Sequence, residues 1–173
     1  YNDDPYNYFS LGDDIYLIPN KPVTVQYVDE NGKALAPEDT IAFNHNNPDQ
    51  TNNGVNKAKY WTPAGTWTTK PKEIEGYYLV KTKGAEKGNF TAFNYITTYV
   101  YAKKVTGQVV YIDDTTKTTL ATDPLAEAKP GDKITYTTAD KIKSYVDKGY
   151  KLESSNFTDG NETYKNGTNN FEV

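Results

Sequence analysis

The chemistry most visible in this chain is a row of tyrosines. In Tyr95-Ile-Thr-Thr-Tyr-Val-Tyr-Ala102, positions 95, 97, 99 and 101 are Tyr, Thr, Tyr and Tyr. Alternate side chains of an extended strand share a face. With Ile96, Val100 and Ala102 turned to a core, Tyr95, Thr97, Tyr99 and Tyr101 face outward. Outward tyrosines can stack on sugar rings and hydrogen-bond their hydroxyls, because the ring face is apolar and the phenol polar. Tyr99 and Tyr101 are therefore the first candidate ligand-binding residues. Trp61, beside a long Asn-rich loop, is the third. The same ladder also fits cross-strand Tyr–Thr pairs that merely stabilise an exposed sheet.

No catalytic constellation accompanies it. The single histidine, His45, sits in the polar loop Asn44–Lys59. Without a Cys or a Gly-x-Ser-x-Gly element it reads as a solvated loop residue. Asp3, Asp4, Asp13 and Asp14 are oxygen ligands a calcium ion would accept. Their spacing matches no EF-hand loop, and acidic pairs at turns read as solvated. The absence of Cys removes disulfides, thiol nucleophiles and soft metal sites. The sequence therefore implies no enzyme, cofactor or metal centre. A net charge of −4 argues against a nucleic-acid partner, which would favour a basic face. No stretch reaches the ~18 apolar residues of a membrane span. No signal peptide is visible, and the chain starts and stops mid-pattern, so it reads as a piece of a longer protein.

The elements that must position these residues come from a repeat. Val23-Thr-Val-Gln-Tyr-Val-Asp-Glu-Asn-Gly-Lys33 alternates as a half-buried strand and then turns at Asn31-Gly32, read as a two-residue hairpin. The phrase returns as Val109-Val-Tyr-Ile-Asp-Asp-Thr-Thr-Lys117, with Tyr27 on Tyr111 and Asp29 on Asp113 at an offset of 84. Trp67-Thr-Thr matches Tyr136-Thr-Thr, Gly76-Tyr-Tyr-Leu79 matches Gly149-Tyr-Lys-Leu152, and Asn89-Phe-Thr91 matches Asn156-Phe-Thr158. Asn-x-Thr triplets begin at Asn89, Asn156, Asn161 and Asn166; the first two hold equivalent places and read as structural turns rather than glycosylation acceptors.

Lys70–Gly76 reads as one helical turn. A true helix is expected at about 139–148, with Thr137 and Asp140 at capping-box spacing and Gly149 as the left-handed C-terminal residue. Its apolar face, Ala139, Ile142, Tyr145 and Val146, would cover the sheet, burying Ile142 and Val146. Strand, hairpin, helix, then further strands is the order of a β-grasp, or ubiquitin-like, fold. The fold class expected is α+β, mostly β, with two tandem β-grasp domains. Residues 22–104 form the first and 105–173 the second, whose last strand would be cut short at Asn169–Val173. Residues 1–21 form an N-terminal segment, read as an edge strand of the first domain or as the end of a preceding unit. The low hydrophobic content, 36%, suits two small domains.

With the repeat laid out, the chain resembles the mucin-binding repeats (MucBP and Mub families) of surface adhesins from Gram-positive gut bacteria. Val23–Lys33, Gly76–Leu79 and Thr98-Tyr-Val-Tyr101 look like a MucBP domain. Val110-Tyr-Ile-Asp-Asp114, Thr137–Tyr145, Lys148-Gly-Tyr150 and Asn156-Phe157 look like the companion domain of a Mub repeat. The resemblance implies an extracellular, cell-wall-anchored adhesin built from many such repeats. The implied partners are mucin glycoproteins, immunoglobulins in some relatives, and neighbouring repeats of the same chain. A structural spacer that lifts a distant binding domain off the wall is the alternative.

Overall fold

The computed structural model describes residues 8–11, 14–17, 20–43 and 65–173. His45, Trp61, Asp3, Asp4 and Asp13, with the expectations attached to them, lie outside the described residues. The chain divides into two compact units, Tyr1–Ala102 and Lys103–Val173. The N-terminal segment contains β1 (Tyr8–Leu11) and β2 (Asp14–Leu17), which pair antiparallel with each other. Among the described residues they form a two-stranded sheet of their own, and neither is hydrogen-bonded to the edge of the four-stranded sheet.

That sheet is built from β3 (Val23–Asp29), β4 (Ala34–Ile41), β6 (Tyr77–Lys83) and β8 (Ile96–Lys103), in the order β4-β3-β8-β6. A second small sheet joins β5 (Thr66–Thr68) to β7 (Lys87–Asn89). The second unit has β9 (Val105–Asp113), β10 (Thr118–Ala128), the helix α1 (Ala139–Asp147) and β11 (Asn169–Glu172), with sheet order β10-β9-β11. β3 and β9 each pair antiparallel with their hairpin mate, β4 or β10, and parallel with a strand from the end of the unit, β8 or β11. This is the β-grasp core expected from the order of elements. The last strand of the second unit is in place: β11 lies along Gly107–Val110, and Val173 adds hydrogen bonds to Val110 and Ile112.

The alternation in Val23–Tyr27 is realised, with Val23, Val25 and Tyr27 buried. The hairpin turn is not the two-residue kind. Gly32 N–H donates to Asp29 C=O and Asp29 N–H to Lys33 C=O, which closes a three-residue loop with Gly32 alone at positive φ, +84°. Asp29 explains the difference. Its carboxylate accepts the N–H groups of Asn31 and Lys33 at 2.8 and 2.9 Å, an Asx interaction that holds the ordinary turn. Asp113 does the same for Thr115 and Thr116, and Lys117 takes the left-handed position, φ +60°.

A Tyr–Asp–Lys trio repeats behind each hairpin. Tyr27 donates to Asp39 Oδ2 at 2.7 Å, while Lys72 pairs with Asp39 at 3.1 Å and lies 4.6 Å from the centre of the Tyr27 ring. In the second unit Lys141 pairs with Asp123 at 3.3 Å and lies 5.8 Å from the Tyr111 ring centre. There Tyr136 is inserted, bonding the Tyr111 hydroxyl at 2.6 Å and donating to Asp123 at 2.6 Å. Burial above all, and then the neighbouring carboxylate, raise the phenols of Tyr27 and Tyr136 well above their ordinary value, so both stay neutral donors. In each unit a lysine of the crossing segment is thus tied to the hairpin below it.

The crossing segments themselves differ. Lys70–Gly76 is not a helical turn: it has no regular structure as far as Ile74 and turns at Glu75-Gly76. The Tyr101 hydroxyl accepts from Lys72 N–H at 3.0 Å and donates to Lys72 C=O at 2.7 Å. Both groups are thereby taken out of any helical ladder, and Pro71 has no N–H to offer one. In the second unit α1 forms as expected, but its start is capped from a distance. Asp159 accepts from the Thr138 N–H and hydroxyl and from Ala139 N–H, at 2.8–3.2 Å, so Thr137 and Asp140 form no capping box. We expect Asp159→Ala to cost about 1–2 kcal/mol, as loss of an N-cap does, and Asp140→Ala far less. Urea denaturation of the two variants checks the assignment, and equal midpoints would restore the local box.

Ile142 and Tyr145 are the helix residues that pack on the core of Val109, Tyr111, Leu125, Ile134, Phe157 and Tyr164. Val146 is not buried: 49% of its surface is exposed. Tyr145 takes the space instead, its ring 6.1 Å from that of Tyr111. Phe90 and Phe157, the central residues of the two matched Asn-Phe-Thr triplets, are both buried core anchors.

Candidate functional site

The outward tyrosine ladder is overturned by the structure. Tyr99 is 0% and Tyr101 2% exposed, whereas Ile96 on the opposite face is 49% exposed. Tyr99 and Tyr101 turn inward because their phenols find partners on that side, although Val100 on the opposite face is buried as well, at 3%. Tyr99 meets Thr69 Oγ1 at 2.7 Å and donates to Glu86 Oε2 at 3.0 Å, and its ring stacks on Tyr27 at 5.9 Å. Tyr101 holds both backbone groups of Lys72. Burial raises both phenols. A sugar therefore reaches neither ring.

In the second unit three exposed apolar side chains line one groove. Val146, Tyr150 and Leu152 are 49%, 40% and 48% exposed. With Ile112, Leu120 and Tyr145 they line an open groove of about 400 Å³. The volume falls at the small end of ligand sites, which combine apolar walls with a few polar groups. The polar residues along it are Asp113, Asp114, Thr115, Lys151, Glu153, Ser154 and Glu172.

The end of α1 sets the aromatic wall. Gly149, at φ +100°, lets the chain leave the helix in a Schellman turn: Tyr150 N–H donates to Tyr145 C=O and Gly149 N–H to Val146 C=O, each at 3.0 Å. That turn brings residue 150 back over residue 145, and the rings meet edge to face, 5.6 Å apart at 75°. Tyr145 is held from below by Tyr111, and Lys148 Nζ lies 5.5 Å from its ring centre. The groove thus has one supported ring and one exposed ring, with hydrogen-bonding groups around them. Such a surface can stack a sugar and bond its hydroxyls.

The model of the MucBP domain matches residues 22–102, and that of a second mucin binding domain matches residues 105–173. The chain belongs to the mucin-binding (MucBP) repeat family. It is also 35% identical over 135 residues to Internalin J of Listeria monocytogenes serotype 4b (strain F2365), covering 75% of this chain and 12% of that protein. Internalin J of Listeria monocytogenes serovar 1/2a (strain ATCC BAA-679 / EGD-e) is 31% identical over 134 residues, covering 75% and 13%. The chain thus spans about an eighth of the length of these relatives. A crystal structure of Mub-RV is similar at 39% identity over 40% of this chain and 36% of that one, with a TM-score of 0.35. Mucin-binding repeats are adhesion modules rather than an enzyme family, and are typical of secreted or surface proteins of bacteria.

The groove was missed in the sequence, although its signals were there. Gly149 was legible as a left-handed helix end, and the residue after such a glycine packs on the helix's last turn. In the first mucin-binding domain the matched residue, Tyr77, packs against the core instead, and Leu79, the match of Leu152, is 42% exposed.

Proposed function

We propose that this chain is a repeat unit of a bacterial cell-surface adhesin that binds mucin glycans, with the groove beside α1 as a sugar-binding surface. The supporting observation is the exposed Tyr150, backed by Tyr145 and ringed by carboxylates and hydroxyls, on a mucin-binding domain. An open groove of this size gives weak binding at each site. Mucin carries the same sugars many times, and linked weak sites gain avidity without any new contact. Trp61 is retained as a proposed contact on sequence grounds. Immunoglobulins and neighbouring repeats are further proposed partners, and the bacterial cell wall the proposed location. For the first unit the spacer reading gains support, since Tyr99 and Tyr101 are enclosed in its core.

The test is retention on immobilised mucin, with an immobilised immunoglobulin surface in parallel. We expect periodate treatment of the glycans to abolish retention on mucin. Tyr150→Ala should lower it several-fold while the melting curve stays near the parent's, because the side chain is 40% exposed. Retention that survives periodate refutes the glycan reading. Glycan-dependent retention that survives Tyr150→Ala moves the site elsewhere.

A further inference from the structure

The strand order has a mechanical consequence that needs no ligand. In the first unit the entering strand β3 and the leaving strand β8 are parallel neighbours, from Thr24 beside Ile96 to Asp29 beside Tyr101. In the second unit β9 and β11 repeat the arrangement, from Gly107 beside Asn169 to Val110 beside Glu172. A pull on the chain before β3 and after β8 draws two parallel neighbours in opposite directions along their own axes. All the hydrogen bonds between them then lie across the load and must yield together. The same strands pulled apart from one shared end would part bond by bond.

Further bonds tie the loaded ends. Lys21 N–H donates to Thr91 C=O at 2.8 Å, Thr24 N–H to Tyr95 C=O at 2.9 Å, and the Asn94 side chain to Pro22 C=O. Thr98 donates to Gln26 Oε1 at 3.0 Å across the seam. In the second unit Asn169, 5% exposed, donates to Thr106 C=O at 3.2 Å. Val173 N–H donates to Val110 C=O and Val173 C=O accepts from Ile112 N–H, both at 2.9 Å. One residue, Lys104, separates β8 from β9, so tension leaving the first seam passes directly into the second.

We propose that the parallel β3/β8 and β9/β11 seams are shear clamps that keep both units folded while the chain carries tension between its ends. The adhesin reading supplies only the source of the load, a cell held to a surface under flow. The clamp follows from strand order and would stand if glycan binding failed.

Force spectroscopy on single molecules of the full chain tests it. Because the chain has no Cys, introduced pairs define the pulling points. Lys21→Cys with Lys103→Cys loads the first seam in shear. Lys21→Cys with Phe93→Cys peels the same seam from one end, and Phe93 is 63% exposed, so the fold tolerates the handle. Unchanged melting curves confirm that both pairs are folded. We expect the shear geometry to need at least about twice the rupture force of the peeling geometry, since forced unfolding follows the height of the unfolding barrier. Pulled end to end, the shorter β9/β11 seam should open first, recognised by its smaller released length. Equal forces in the two geometries overturn the clamp, as does end-to-end extension without a resolved unfolding event.

Discussion

Replacing Tyr99 and Tyr101 together by threonine is expected to unfold the first unit. Threonine is as good a strand former as tyrosine, so the loss comes from packing and hydrogen bonds rather than propensity. Both rings are fully or almost fully buried. Truncating a buried aromatic costs about 3–5 kcal/mol, and two in one core reach the whole stability of a small domain, about 5–15 kcal/mol. The Tyr101 hydroxyl also bonds both backbone groups of Lys72, and losing a hydrogen bond costs about a further 0.5–1.5 kcal/mol. Ile96→Thr, at an exposed position of the same strand, should change stability by less than about 0.5 kcal/mol. Near-ultraviolet circular dichroism and denaturant melts separate the two cases. A double variant that melts like the parent would return the tyrosines to the outer face.

Gly107→Ala is expected to be the most damaging single-methyl change in the second unit. A Cβ at position 107 would stand 2.1 Å from the backbone oxygen of Asn169 and 2.7 Å from its Cβ. The clash is with backbone, so no side chain can swing aside and β11 must move. Overpacking of this kind costs typically about 1–3 kcal/mol. Moving β11 also disturbs Phe171, whose ring meets Phe157 edge to face at 5.0 Å, so the total should exceed about 3 kcal/mol. Gly131 is the comparison. It needs its positive φ, +93°, but a Cβ there meets nothing within 4 Å, so Gly131→Ala should cost only the left-handed strain, about 1–2 kcal/mol. Urea melts that place Gly107→Ala at or below the cost of Gly131→Ala would show that β11 does not lie against β9 at this point.

Much of the frame was legible in the residues. Two copies of one unit followed from the offset of 84 between Tyr27 and Tyr111, and Asp39 and Asp123 carry the same offset into the Tyr–Asp–Lys trios. The alternation of Val23, Val25 and Tyr27 marked the buried face of β3, and Gly149 marked the end of α1. These are local signals, because strand periodicity and left-handed glycine need only a few neighbouring residues to express them.

What only the tertiary structure decided was direction and partnership. In Tyr95–Ala102 period-two alternation leaves two faces, one of Tyr and Thr and one of Ile, Thr, Val and Ala, and either can be buried. Tyrosine is apolar in its ring and polar at its tip, so it goes inside wherever partners for its hydroxyl wait there. Those partners, Thr69, Lys72 and Glu86, lie at least 13 residues away along the chain. Asp159 likewise caps α1 from 21 residues beyond Thr138, out of reach of any local capping rule. The sequence determined where most of the strands and the helix lie; the fold decided the inward turn of Tyr99 and Tyr101 and the capping of α1, because a buried polar group goes wherever the chain brings it a partner.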